Sequence, residues 1–334
     1  MHEPYSVTFL VIDVTLMILV IIFNLIVIII LFTKANVRKS KNILLLSLAF
    51  ADMFIGIFVI PNAISIMFLH VRWVDAVCKL CYYGEYAVSA ASALSISVMA
   101  VDRMRAILFP FKFKGVHHYF SYLTLGFVWM IALLYALRTP FIFGAVTKIS
   151  GNVSHTECTI IAGRADLHKR LVYMDFIVLF LLPSAVLVTC NVAVSVRIAS
   201  QPKIRISGGM QLLIKRRRSI RLLLAMIFLF IGCHLPLYSF RIHLLIVDSD
   251  VPMEKVITQC LLILSWLNSL LNVLFYGSLN KDVKSTLAVM GKCQCFKQPN
   301  RVGVLTSGTV TSKDDQRSND LQQLSSTQTA STAI

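Results

Sequence analysis

Seven apolar blocks, at about residues 8–33, 42–69, 76–107, 120–143, 170–199, 217–247 and 255–279, are each long enough to cross a bilayer as a helix. Hydrocarbon offers no hydrogen bonds, so a chain that crosses it must satisfy its own backbone, and only helices and closed barrels do so. Blocks of this length, separated by short polar and basic joints, predict an all-α, seven-transmembrane helix bundle over 8–279. Composition agrees: 57% of residues are hydrophobic and 14% charged, where a soluble domain carries about a quarter. Pro61, Pro140, Pro183 and Pro236 fall inside blocks, where neighbouring helices can serve the carbonyls they leave free.

The net charge of +16 raises nucleic acid as a partner, but its placement excludes that. Basic residues gather in alternate joints, "KANVRKSK" (34–41), "FPFKFKGVHHYF" (109–120) and "KRRRSIR" (215–221), while the aromatics sit in the apolar blocks. The basic joints mark the cytoplasmic side of a multi-pass plasma-membrane protein, which puts the N-terminus outside and the C-terminus inside. Residues 1–7 read as a short extracellular segment, with no basic n-region of a signal peptide. Asn152-Val153-Ser154 is a glycosylation sequon in a joint assigned outside. Of the eight cysteines, Cys78 and Cys158 fall on that oxidising side, which leaves open a bridge or two separate thiols. The Cys78/Cys81 CxxC lacks a second pair at zinc spacing.

The third block ends in "ALSISVMAVDRMRAILFP" (93–110), with Asp102 beside Arg103. Around it stand Asn24 in the first block, "LAFAD" ending in Asp52 in the second, Trp129 in the fourth, Pro183 in the fifth, "CHLP" with Pro236 in the sixth and "NSLLNVLFY" (268–276) in the seventh. In this order the motifs resemble the rhodopsin-like (class A) G-protein-coupled receptors, over about residues 10–295. The resemblance implies a Cys78–Cys158 disulfide and an Asp102 that restrains Arg103 until Arg103 meets a heterotrimeric G protein, with Asn272 and Tyr276 in the same switch. An always-charged guanidinium with a fork of donors suits such an exchange of partners, whereas the plain alternative is an anchor snorkelling to headgroups. The resemblance also implies an allosteric sodium ion held by Asp52, Ser92, Asn268, Ser269 and Asn272, all with oxygen-bearing side chains. The alternative is a polar network with water.

Five positions depart from the family pattern. Met104 replaces the usual tyrosine, Arg216 an acid, His234 a tryptophan, Val273 a proline and Asn191 a tyrosine. Arg216 would repel Arg103, and the expectation is raised basal activity.

For the ligand, Glu85 lies 18 residues before Arg103, about 27 Å along the helix. Its position matches the ammonium-binding acid of amine receptors. Asp175 matches another pocket position, Ser89 lies one turn below Glu85, and His234, Tyr238 and Arg241 share one helical face with Trp266 opposite. The expected ligand is a cationic amine-like small molecule. The alternative is a short peptide, because Arg241 could cancel one acid, or merely order the helix ends.

After the seventh block, Val283, Leu287 and Met290 space out an amphipathic surface helix over 280–295, ending at Cys293 and Cys295 as palmitoylation candidates. The remainder, 296–334, reads as a disordered cytoplasmic tail. Its Ser/Thr clusters offer kinase sites for arrestin, and Thr332-Ala333-Ile334 fits a PDZ ligand. A transporter would show inverted halves and an enzyme a catalytic cluster such as HExxH, and neither pattern occurs. A receptor-shaped scaffold that no longer signals is the third rival, suggested by Met104, His234 and Val273.

Overall fold

The computed structural model describes residues 4–33, 40–67, 73–109, 117–150, 153–200, 207–247 and 254–279. The expected surface helix with Cys293 and Cys295, the tail, and the acceptor Asn152 lie outside them. Seven helical segments among the described residues are long and apolar enough to cross a membrane. The first span is α1 (Pro4–Thr33) and the third α4 (Asp75–Leu108). The fourth is α5 (His117–Ala136), closed by a 3₁₀ turn at Thr139–Phe141. The sixth is α8 (Ser207–Ile246) and the seventh α9 (Glu254–Leu279). The fourth helix stops short of the expected 143, because Pro140 falls in the 3₁₀ turn. The sixth begins ten residues before the expected 217, where Met210, Gln211, Leu212, Leu213, Lys215 and Arg216 favour helix and outweigh Gly208 and Gly209.

The second and fifth spans are each interrupted once. The second runs α2 (Ser40–Phe54), a π turn (Ile55–Val59) and α3 (Ile60–Met67). The fifth runs α6 (Ala165–Asp175), a π turn (Phe176–Leu181) and α7 (Leu182–Ala199). Each π turn precedes a proline for the same reason. A proline ring clashes with the carbonyl four residues back, at Ile57 for Pro61 and Leu179 for Pro183, and both lie within the widened turns. A π turn holds an extra residue, so it changes the angular phase of the helix beyond it.

The third span is the hub, packed on α2, α5 and α7. Its buried face explains how: Ala87, Ala90, Ala91, Ser92, Ala93, Ser95 and Ala100 are small enough for neighbouring backbones to come close. A hydrogen-bond chain ties three spans at mid-height, from Trp129 Nε1 to Ser47 Oγ (3.2 Å) and on to Ser95 Oγ (2.9 Å). The fourth span touches the bundle through Val128, Ala132 and Ala136, four residues apart, and turns Phe127, Leu134 and Leu137 outward. In water that face would be a liability. In lipid it is the ordinary solvent-facing side.

The joint after the fourth span forms a hairpin, β1 (Phe143–Ser150) with β2 (Val153–Ile160), antiparallel with Phe143 opposite Ile160 and Cys158 opposite Ala145. Cys158 is joined to Cys78 in the first turns of α4, with Cα atoms 5.6 Å apart. Asp75 Oδ1 accepts the Ala145 N–H at 3.0 Å, which brings the hairpin backbone close to α4. A Cβ on Gly144 would stand 2.8 Å from that same oxygen, so any larger residue there would make the Asp75 carboxylate shift.

Candidate functional site

At the hairpin end the helices enclose two cavities that share Val59, Glu85, Arg241, Leu262 and Trp266 as lining. The outer one, about 410 Å³, is walled by Asn62, Tyr82, Tyr86, Phe143 and His168. The inner one, about 90 Å³, reaches Ser89, His234 and Tyr238 and is floored by Ser92, Asn268 and Ser269. Six of the seven expected ligand residues therefore converge: Glu85, Ser89, His234, Tyr238, Arg241 and Trp266.

Asp175 does not converge with them. It is buried, and its Oδ1 accepts hydrogen bonds from Arg138 and from Tyr135 (2.6 Å), so its charge is spent between the fourth and fifth spans. Arg138 also lies over the rings of Tyr135 (4.0 Å) and Tyr86 (5.2 Å). The expectation of two carboxylates across one cavity is corrected accordingly: Glu85 is the acid that lines it, and Arg241 the cation. Among the described residues no ion pair joins Glu85 to Arg241. Asn62 Nδ2 donates to Glu85 Oε2 at 2.9 Å.

The outer wall is aromatic. Phe143, the first residue of the hairpin, stacks on Tyr82 with centroids 3.8 Å apart and meets the His168 edge at 5.6 Å. The disulfide and the Asp75 contact hold this ring in place. Below, Phe230 touches His234 at 4.9 Å and stacks on Phe180, which in turn stacks on Tyr238, linking the fifth and sixth spans beneath the cavity.

The polar centre gathers as its residues imply. Asp52 is fully buried, and its carboxylate accepts from Ser92 Oγ (2.8 Å), Ser269 Oγ (3.1 Å) and Asn272 Nδ2 (3.1 Å). Asn268 is buried nearby on α9 with its Oδ1 unpartnered. The centre therefore presents an acid and an unserved oxygen, the donor chemistry a hard cation takes. Among the described residues no cluster of His, Cys, Asp or Glu suits a transition metal.

Asp102 and Arg103 are half-buried near the C-terminal end of α4. Met104 beside them packs against the main apolar core, as does the buried Val273, so two of the five departures serve packing. Asn191 is buried, and its Oδ1 accepts from Ser195 Oγ at 3.2 Å. Tyr276 lies on the last turn of α9.

Three features escaped the sequence reading. Asn62 and Phe143 line the cavity, and Asp13 of α1 meets Gln259 of α9, which donates through Nε2 to Asp13 Oδ2. Both members of that pair are buried, with Asp13 Oδ1 and Gln259 Oε1 unpartnered. An acid inside a membrane span is itself a signal worth reading, and Asp13 carries it.

Residues 23–276 match the family described as 7 transmembrane receptor (rhodopsin family). The chain is 23% identical over 300 residues to a QRFP-like peptide receptor of Branchiostoma floridae, covering 84% of this chain and 78% of that one. It is 25% identical over 305 residues to adenosine receptor A3 of Ovis aries, covering 89% and 93%. With somatostatin receptor type 1 of Rattus norvegicus it shares 25% over 264 residues, covering 78% and 66%. Seven spans, the buried polar centre and a family match over most of the length lead to one conclusion: the chain belongs to the rhodopsin family of seven-transmembrane receptors and is a signalling receptor rather than an enzyme.

Proposed function

We propose that this receptor answers a short extracellular peptide that sets a cationic group on Glu85 and a carbonyl or carboxylate on Arg241. It passes the signal to a heterotrimeric G protein at the Asp102–Arg103 end. The carrying observation is that two opposite charges line one cavity without closing on each other. Both charges are half-buried, where water serves them incompletely, and a ligand with both polarities would supply partners. Peptides carry acceptors along their whole backbone, and a relative named as a peptide receptor supports the choice. The orientation in this reading is hairpin outside, which suits a disulfide formed in an oxidising compartment.

A cationic amine-like small molecule is the second reading, favoured by Glu85 standing among Tyr82, Tyr86 and Trp266. A second-messenger assay with matched surface expression separates the two. A peptide agonist that loses about tenfold or more in potency in both Glu85→Gln and Arg241→Gln supports the first. An amine agonist that depends on Glu85 but ignores Arg241→Gln replaces it with the second. Good surface expression with no basal or evoked signal would favour the silent scaffold.

The same reading includes a sodium ion beside Asp52, with Ser92, Asn268, Ser269 and Asn272 as its other holders. The unserved Asn268 Oδ1 supports it. A bound cation there would neutralise the buried charge and favour one arrangement of the second, third and seventh spans.

A further inference from the structure

Asn62 follows the π turn and Pro61 in the second span, and only 3% of it is exposed. Its Nδ2 donates to Glu85 Oε2 at 2.9 Å. This fixes the orientation of the amide, since turning it over would set oxygen against a carboxylate oxygen. Asn62 Oδ1 is therefore the atom left over, and it is buried without a partner in a residue that lines the outer cavity. A buried acceptor without a donor costs about 1–3 kcal/mol, so an N–H brought to Asn62 Oδ1 would be stabilising.

We propose that Asn62 and Glu85 together form a two-acceptor subsite for a cationic group with several N–H donors, a primary ammonium or a guanidinium, and that the subsite discriminates against fully alkylated ammonium. The proposal rests on the preceding reading that Glu85 takes the ligand's cation. Charge alone would make Glu85 indifferent to alkylation. Hydrogen-bond count makes the difference: a primary ammonium has three donors and a guanidinium five, whereas a quaternary nitrogen has none and leaves both acceptors unserved. Arg241 on the same cavity repels a cation, so Glu85 alone holds it less firmly than Glu85 and Asn62 together.

The test uses the full chain in nanodiscs and two peptides of equal charge, N-acetyl-Lys-Phe-amide and its Nε-trimethyllysine analogue. The aromatic residue is chosen for the Tyr82–Phe143 wall. Surface plasmon resonance on the captured receptor gives both affinities for the wild type, Asn62→Leu and Glu85→Gln. The expected result is a preference of at least about tenfold for the unmethylated peptide in the wild type. In Asn62→Leu the preference narrows several-fold without vanishing, because Glu85 still accepts from the unmethylated ammonium while the trimethylated peptide is little affected. In Glu85→Gln both peptides weaken. Equal wild-type affinities, with Glu85→Gln still weakening both, overturn the subsite and leave the cation on Glu85 standing. This comparison needs no Asn62 variant to fold. A preference that survives unchanged in Asn62→Leu also overturns the subsite. If neither peptide binds the wild type, or if Glu85→Gln changes nothing, the underlying reading fails and takes the subsite with it.

Discussion

Arg138 and Asp175, 37 residues apart, close a buried ion pair between the end of the fourth span and the fifth, and Tyr135 shares the same carboxylate oxygen. Breaking such a pair from one side strands a charge. Arg138→Ala and Asp175→Ala should each destabilise the receptor by about 3–5 kcal/mol, and the apolar double variant Arg138→Met/Asp175→Leu should recover much of that. Thermal unfolding of purified receptor checks this. Asp175→Asn should lower surface expression more than it changes agonist potency, because Asp175 lies outside the cavity lining. A potency loss at normal expression would restore it to the ligand site.

Gly144→Ala should loosen the hairpin without touching the cavity directly. The new Cβ would press on Asp75 Oδ1, so either the Ala145 N–H bond lengthens or Asp75 leaves Lys79, its partner at 2.7 Å. The expected cost is about 1–3 kcal/mol, with faster amide exchange at Ala145 and a several-fold drop in agonist affinity as Phe143 moves off Tyr82. Hydrogen exchange by mass spectrometry resolves the hairpin peptide.

Asp13→Ala should leave the Gln259 amide buried with nothing to donate to, at a cost of about 1–3 kcal/mol. Replacing both groups, Asp13→Leu/Gln259→Leu, should cost less than the sum of the single changes. A double-mutant cycle on melting temperature measures the coupling. Additive losses would mean that the contact contributes nothing of its own.

Sodium chloride, compared with a large organic cation at equal ionic strength, should raise the melting temperature of the wild type and not of Asp52→Asn. The substitution removes the charge that attracts the ion while nearly preserving shape. Ser92→Ala should show an intermediate response, having lost one oxygen. Equal sodium responses in wild type and Asp52→Asn would leave the polar centre as a hydrogen-bonded network.

The spans were legible because the bilayer sets a length and the apolar blocks match it. Depth along a helix was legible too, since Glu85 is placed by counting from Arg103 and Ser89 one turn below it, while His234, Tyr238 and Arg241 came from their shared helical face and Trp266 from its position in the seventh block. Direction around a helix was less so. An uninterrupted count through the second span misses the phase change at the π turn before Asn62, and a second such turn, Phe176–Leu181, separates Asp175 from Pro183. Partners distant in sequence were harder still. Nothing local in Arg138 points to Asp175, and Asp13 and Gln259 are 246 residues apart. The hairpin escaped because its joint was read for charge and sequon rather than for strand alternation, so Phe143 was assigned to the end of the fourth span instead of the first strand.

The wall that carries Phe143, Tyr82 and Glu85 is a single body, since the disulfide and the Asp75 contact bolt the hairpin to α4. Arg241 rides on α8, across the opening. A ligand that touches both charges therefore gauges the gap between the third and sixth spans, like a feeler set between two jaws. Ligands of slightly different reach would hold that gap at different widths, so agonist efficacy should grade with the spacing between a ligand's cation and its acceptor, independently of how tightly it binds.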